Sequence, residues 1–187
     1  MNRGACHKTV FDSRYDRIRF LALIGEATRR YSIEVHAYCL MGNHFHLLVR
    51  TPDEKLDEAM QFLSGQYTQF YNRRYGRDGA LFRGRYRSLL VDDERYLLAV
   101  SRYIHRNPTV FLGADFADYR WSSYAAFLGE LKPESWLFLQ ETLEIGNGID
   151  QYRVLVEASL RTDVDLIYDC DVWPETISDG LFDLHRS

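Results

Sequence analysis

Two short runs of strand-forming residues, joined by a tight turn, constrain the fold of this chain more than any other feature. The first run, 32–41, contains Ile33, Val35 and Tyr38, and the second run is 44–50. The three residues 41–43, Met-Gly-Asn, form a turn signal between them. Because so short a connection can join only antiparallel neighbours, the two runs predict a β-hairpin.

The flanking segments predict helices and one further strand. Apolar residues recur at helical spacing over 15–30, after a possible N-cap at Asp12-Ser13. Similar patterns predict helices over 53–75, 135–144 and 151–160. A further helix is predicted from Asp92-Asp93 to about Arg106, with Pro108 ending it. Residues 81–91 predict a basic strand. This order of elements predicts an α+β fold, in which helices cover one face of an antiparallel sheet.

Composition excludes several classes of protein. Of the 187 residues 46% are hydrophobic, which is too many for a disordered chain. No apolar run approaches the ~20 residues of a membrane helix, and the N-terminus lacks the apolar stretch of a signal peptide. The 3 cysteines show no CxxC spacing, so neither a disulfide framework nor a zinc knuckle is indicated. We therefore expect a cytoplasmic protein with no membrane partner.

The net charge of -4 conceals an uneven distribution. Residues 129–187 hold 13 Asp and Glu against 4 Lys and Arg, whereas 1–128 hold 19 basic and 14 acidic residues. Arginine forks bind phosphate oxygens, and aromatic rings stack on unpaired bases. The basic stretch 73–87 thus predicts a nucleic-acid-binding surface, with a solvated basic loop as the alternative; its candidate contacts are Arg73, Arg74, Arg77, Arg83, Arg85, Tyr86 and Arg87.

The tripeptide His44-Phe45-His46 lies in the second predicted strand. Side chains at i and i+2 of a strand point to the same face, so both imidazoles project together while Phe45 turns into the core. Two neutral imidazoles provide half of a divalent-metal site. The alternative is a pair of histidines on a polar sheet face.

A tyrosine and an asparagine share a face of the helix that follows the basic stretch. Tyr103 lies at the edge of the apolar stripe, and Asn107, four residues later, lies on the same face. An amide oxygen can bind a hard cation, and a phenol can attack phosphorus once a metal polarises the phosphodiester. The alternatives are a tyrosine at the core edge and an asparagine that caps the helix.

Four ordered stretches resemble a known family. They read AYCLMGNHFHLLVRTP (37–52), YTQFYNRRYGRDGALFRGRYRS (67–88), YLLAVSRYIHRNP (96–108) and YRWSSYAAFLG (119–129). Together they are similar to the single-tyrosine HUH transposases, and within them to the REP-associated tyrosine transposases. The resemblance covers roughly residues 2–129.

The resemblance implies a fold, an activity and a set of site residues. The fold would be a ferredoxin-like sheet, and the activity would be cleavage and rejoining of single-stranded DNA beside a hairpin through a 5′-phosphotyrosine. His44, His46 and Asn107 would bind Mg²⁺ or Mn²⁺, and Tyr103 would be the nucleophile. No nucleotide cofactor is implied, and the protein would act as a monomer or a homodimer.

One departure from the family pattern concerns the N-terminus. An Asn-Arg-Gly-like segment follows the first strand in the family, whereas here it begins at Asn2, so the first strand looks truncated. We expect a transposase-like domain over 1–129 and a mainly helical acidic extension over 130–187. This extension could pack on the sheet, self-associate or occupy the basic surface.

Two other functions remain open at this stage. A degenerate or domesticated protein would bind structured single-stranded DNA without cutting it. A metal-dependent hydrolase would use His44 and His46 with water as the nucleophile.

Overall fold

The computed structural model describes residues 1–112 and 116–158. The chain divides into two compact units, Met1–Val156 and Glu157–Ser187, and the account below concerns the first. Within the described residues, none of the helices is long and apolar enough to cross a membrane.

The sheet has three antiparallel strands in the order β1-β3-β2. Strands β2 (Glu34–Leu40) and β3 (His44–Arg50) form the predicted hairpin, which is therefore confirmed. Strand β1 (Asn2–Arg3) pairs with the other edge of β3. The expected α+β fold with an antiparallel sheet is confirmed, and its first strand is two residues long.

The backbone of β1 is paired on both of its sides. The N–H of Arg83 donates to the carbonyl oxygen of Arg3 at 2.9 Å, and the N–H of Arg87 donates to that of Met1 at 2.9 Å. The predicted strand over 81–91 is nevertheless wrong as a regular strand, because only Phe82 forms a bridge, with Gly4. A two-residue partner is too short to support a longer ladder.

The outer edge of β2 is covered by two later segments of the chain. The N–H of Leu40 donates to the carbonyl oxygen of Trp121 at 2.9 Å, and the N–H of Phe138 donates to that of Val35 at 2.9 Å. Such cover protects an edge strand from pairing with another chain. It also corrects the predicted helix over 135–144, which begins only at Gln140 because Leu137 forms a parallel bridge with Val35.

Helices α1 (Arg14–Tyr31) and α2 (Leu56–Tyr75) cover one face of the sheet. The predicted N-cap of α1 is confirmed as a capping box, in which Ser13 and Asp16 bond each other's backbone N–H groups. The core beneath both helices is aromatic: the ring of Phe20 lies 4.6 Å from that of Phe45 and 5.0 Å from that of Tyr67, between centroids. Phe45 therefore faces α1 and α2.

Helix α3 (Glu94–Leu112) contacts β2 and β3 from the face opposite to Phe45, so helices cover both faces of the sheet and not only the one face that the sequence predicted. Asp93 caps it, because its Oδ1 accepts the N–H of Tyr96 at 2.7 Å. The prediction that Pro108 ends this helix is wrong, since the helix continues past it. An interior proline costs about 3 kcal/mol, and the packing of α3 between the sheet and the later helices offsets that cost.

Three short helices pack beside α3: α4 (Tyr124–Phe127), α5 (Gln140–Ile145) and α6 (Ile149–Glu157). Their buried side chains form a second apolar cluster, which contains Tyr124, Phe127, Leu128, Tyr152 and Val156. Residues 130–156 thus fold within the first unit. The division of the chain at residue 129 stays a prediction, and residues 159–187 of the expected acidic extension lie outside the described residues.

Candidate active site

The two histidines of β3 lie side by side on the face that α3 covers. His44 and His46 are 2% and 3% exposed, and their ring centroids are 5.0 Å apart. The alternation of the strand produces this arrangement, since Phe45 between them belongs to the opposite core.

Asn43 fixes the tautomer of His44. The Nδ1 of His44 lies 2.7 Å from the Oδ1 of Asn43, which as a carbonyl oxygen can only accept a hydrogen bond. Nδ1 therefore carries the proton, and Nε2 presents its lone pair. A partner of this kind orients the imidazole of a metal-binding histidine.

Helix α3 brings Tyr103 and Asn107 to the histidine pair. The ring centroid of Tyr103 lies 5.3 Å from that of His46, and Asn107 is fully buried. The Nδ2 of Asn107 donates to the carbonyl oxygen of Tyr103 at 2.9 Å, which leaves its Oδ1 to face elsewhere. One helical turn thus places a phenol and an amide beside two imidazoles.

Both histidines are kept neutral at pH 7. Burial, with a smaller contribution from the charge of Arg3, lowers the pKa of His44 to about 4, and the side chain of Asn107 opposes the shift. Burial, the neighbouring His44 and Arg3 hold the pKa of His46 well below its ordinary value. Neutral imidazoles are the form that binds a metal.

The donor set fits a divalent cation. In the part of the chain that the structure describes, the Nε2 of His46 and the Oδ1 of Asn107 are buried without a hydrogen-bond partner. Such atoms are rare in folded proteins because each costs about 1–3 kcal/mol. No group of three or more His, Cys, Asp or Glu side chains that could hold a metal occurs in residues 1–112 and 116–158. The available ligands are thus two imidazoles and one amide.

The six arginines that the sequence predicts to contact DNA are all exposed, either at the end of α2 or along the segment beside β1. Arg74 is partly engaged within the protein, since its Nε lies 3.6 Å from the Oδ1 of Asp16. Arg77 stacks on the ring of Tyr71 at 5.4 Å. The remaining four, Arg73, Arg83, Arg85 and Arg87, have no ion pair with any described residue.

Tyr86 differs from the arginines around it. Its hydroxyl donates to the Oδ1 of Asp57 at 2.6 Å, and its ring packs partly buried against the main core. It therefore attaches the basic segment 83–87 to α2. Its predicted contact with DNA stays a prediction.

Sequence reasoning did not identify the hydrogen bonds that hold α3 from its other flank. The ring of His105 bonds the Oγ of Ser123 at 2.7 Å through Nε2 and the hydroxyl of Tyr152 at 2.8 Å through Nδ1. Arg102 and Arg106 donate to the carbonyl oxygens of Leu155 and Val156 at 2.8 and 2.6 Å. These partners lie 18 to 53 residues away along the chain, so no local pattern signals them.

Asn43 and Arg3 were also missed as parts of the site. Asn43 was interpreted only as a turn residue, although its position before the His-x-His pair was the available signal. Arg3 reaches the site only through the register of β1 on β3, which places it opposite His44.

Comparison with known proteins identifies the family. Residues 3–107 match the sequence model of a protein family whose description is "Transposase IS200 like". The matched range includes His44, His46, Tyr103 and Asn107. The chain belongs to the IS200-like transposases. Membership implies DNA strand cleavage and transfer, and transposases of this family generally depend on metal ions.

A solved structure has the same fold as this IS200-like transposase. It is that of a REP-associated tyrosine transposase bound to a REP hairpin, and it superposes with a TM-score of 0.57 over 73% of this chain and 81% of its own, at 16% identity. A search of curated proteins gave no match.

Proposed function

We propose that this transposase cleaves and rejoins single-stranded DNA beside hairpins, with Tyr103 as the nucleophile. One observation carries the proposal. The ring of Tyr103 contacts that of His46, and the Oδ1 of Asn107, on the same face of α3, has no hydrogen-bond partner among the described residues. A phenol beside groups that could hold a metal can act as the nucleophile in covalent phosphoryl transfer.

His44, His46 and Asn107 would hold the metal ion, which we propose to be Mg²⁺ or Mn²⁺. When bound, the ion supplies positive charge that polarises the phosphodiester. The side-chain amide oxygen of Asn107, Oδ1, suits either ion, whereas the two imidazoles favour a transition metal such as Mn²⁺ over Mg²⁺. The hydrogen bond from Asn43 keeps the ring of His44 in the orientation that this role needs.

The covalent step exchanges one phosphate ester for another. The hydroxyl oxygen of Tyr103 forms a bond to phosphorus, and the bond from phosphorus to the 3′ oxygen breaks. The phenolic proton leaves Tyr103, and the departing 3′ oxygen takes up a proton to become a hydroxyl. A 3′-hydroxyl from another strand end reverses the step, so the ester bond is conserved and no nucleotide cofactor is required.

The basic surface supports a hairpin as the DNA partner. The exposed arginines of segment 83–87 lie beside β1, and β1 pairs with the strand that bears both histidines. Arginine forks on such a surface bind the phosphate backbone of a duplex stem. The structurally similar transposase holds a REP hairpin, which agrees with this assignment.

The four site residues meet within one chain, and we propose a monomer as the active form. A homodimer in which one chain supplies the tyrosine to the other would need Tyr103 to leave the ring of His46. Residues 1–107 of a single chain contain every group that the proposed step uses.

The test is a covalent-adduct assay on the full chain. Labelled single-stranded DNA that carries the hairpin from the flanks of its own gene is incubated with Mn²⁺, and the mixture is separated on a denaturing gel. We expect a labelled protein band that Tyr103→Phe removes. Tyr96→Phe, on the same helix, is the matched control and should retain the band.

Two results would contradict the proposal. A shift on a native gel with no adduct would favour a protein that only binds structured DNA. Strand cleavage that persists in Tyr103→Phe would favour a hydrolase with water as the nucleophile.

A further inference from the structure

Arg3 lies on the same face of the sheet as the two histidines. It is paired directly with His44 in the register of β1 on β3, and side chains of such a cross-strand pair project to the same side. Asn2, its neighbour in β1, is paired with Phe45, whose ring faces the core under α1 and α2. The alternation of the strand therefore directs Arg3 toward the histidines.

The guanidinium of Arg3 lacks an anionic partner within the part of the chain that the structure describes. Its Nε is buried without a hydrogen-bond partner, and Arg3 has no ion pair, among residues 1–112 and 116–158. The main chain of Arg3 is fixed by β3 on one side and by Arg83 on the other.

This arrangement is unfavourable for the protein alone. A guanidinium beside a cluster of metal-binding groups repels any cation that they bind. A partly buried charge without a partner also pays a desolvation cost. Both penalties vanish when an anion lies between the guanidinium and the cation, and the anion that enters this site during the proposed reaction is a DNA phosphate.

We propose that Arg3 binds a non-bridging oxygen of the phosphate that Tyr103 attacks. This inference rests on the proposed function and adds a residue that contacts the reacting group. The planar fork of arginine suits two phosphate oxygens, and a donor fixed before the reaction stabilises the charge that develops on them. Arg3 also joins the site to the basic segment 83–87, so that the bound strand meets continuous positive charge.

Two substitutions and one control test this role in the full chain. Arg3→Gln removes the charge, Arg3→Lys keeps the charge without the fork, and Arg85→Gln removes a charge from the neighbouring basic segment. Three quantities are measured: the rate of adduct formation at saturating hairpin DNA, the Kd for that DNA, and the affinity for Mn²⁺ without DNA. Thermal unfolding checks that each variant is folded.

We expect Arg3→Gln to lower the adduct rate by about 100-fold, as for loss of one transition-state donor. Its Kd should change less than that of Arg85→Gln, and its affinity for Mn²⁺ should increase because a repelling charge has gone. Arg3→Lys should have an intermediate rate, and it also decides the question if Arg3→Gln does not fold. A purely structural role for Arg3 would not tighten Mn²⁺ binding.

The proposal for Arg3 fails if Arg3→Gln forms the adduct at the wild-type rate, or if it weakens DNA binding as Arg85→Gln does without slowing the saturated reaction. The proposal also fails if Arg3→Gln binds Mn²⁺ more weakly than the wild type does. A wild-type chain that forms no adduct overturns the proposed function itself, and the inference about Arg3 falls with it. The two failures are therefore distinguishable.

Discussion

Two buried histidine environments lie at helix α3, one on the helix itself and one on the strand that it covers, and they differ in how many of their polar atoms are hydrogen-bonded. At His105 both ring nitrogens are hydrogen-bonded, to Ser123 and Tyr152. At the pair His44 and His46, the Nε2 of His46 has no partner among the described residues, and neither has the Oδ1 of the adjacent Asn107. Both environments are almost inaccessible to water, and both hold neutral imidazoles.

The difference separates a structural site from a functional one. A satisfied buried network stabilises a single arrangement of the helices around it. An unpartnered buried polar atom costs stability, and a bound group that completes it would offset that cost. We therefore assign His105 to the support of α3 and the histidine pair to the chemistry.

The largest effect is expected when one histidine of the pair is replaced by a residue with an apolar aromatic ring. His46→Phe should reduce the adduct below detection, because it removes a metal ligand and retains most of the packing. The free energy of unfolding should stay equal or rise, since the lost Nε2 made no hydrogen bond. Adduct gels and denaturant unfolding measure the two quantities.

An active or clearly destabilised His46→Phe would show that the ring serves packing rather than metal binding. His44→Ala provides a second variant at the same pair, and it should retain hairpin binding on a native gel while it loses the adduct.

Acid should destabilise the fold through the buried histidines. Burial lowers the pKa of His105 to about 3, below the ordinary value of 6.5 that applies in the unfolded chain. Its neutral form therefore stabilises the fold fully above about pH 6.5, and this contribution is lost as the pH falls toward 3. Between pH 7 and pH 5 the loss is about 2 kcal/mol for one such histidine.

Urea unfolding at the two pH values measures this loss, and His44 adds to it in the same direction because its pKa is lowered to about 4. The expectation fails if the free energy of unfolding is the same at pH 5 as at pH 7.

The smallest effect is expected at His105, whose two ring nitrogens are both hydrogen-bonded. Tyr152→Phe removes the hydroxyl that bonds His105 and Ser101 and keeps the ring that stacks on Phe127 at 4.9 Å. The free energy of unfolding should fall by about 1 kcal/mol, while the adduct rate well below the unfolding temperature should stay within about threefold of wild type. Loss of the adduct without loss of stability would place Tyr152 in the chemistry instead.

Local sequence pattern predicted those parts of the fold that depend on local physics. The period of two placed His44 and His46 on one face of β3, and helical spacing placed Tyr103 and Asn107 together. The capping box of α1 and the end of α2 at Gly76, which has a φ of 58°, follow from single residues with strong preferences.

The errors occurred where distant segments decide the structure. Pro108 is tolerated inside α3 because that helix is held by α6 through Arg102 and Arg106. The extended stretch before α5 pairs with β2, which overrides its helical pattern. The place of Arg3 depends on the register of a two-residue strand, and no periodicity can be read from two residues.

The central claim is that the Nε2 of His46 and the Oδ1 of Asn107, which have no hydrogen-bond partner among the described residues, bind the metal. Titration of the full chain with Mn²⁺, followed by the loss of the free-ion electron paramagnetic resonance signal, tests it directly. We predict one bound Mn²⁺ for the wild type and for Tyr152→Phe, and none for His46→Phe. Equal binding by wild type and His46→Phe would contradict the account.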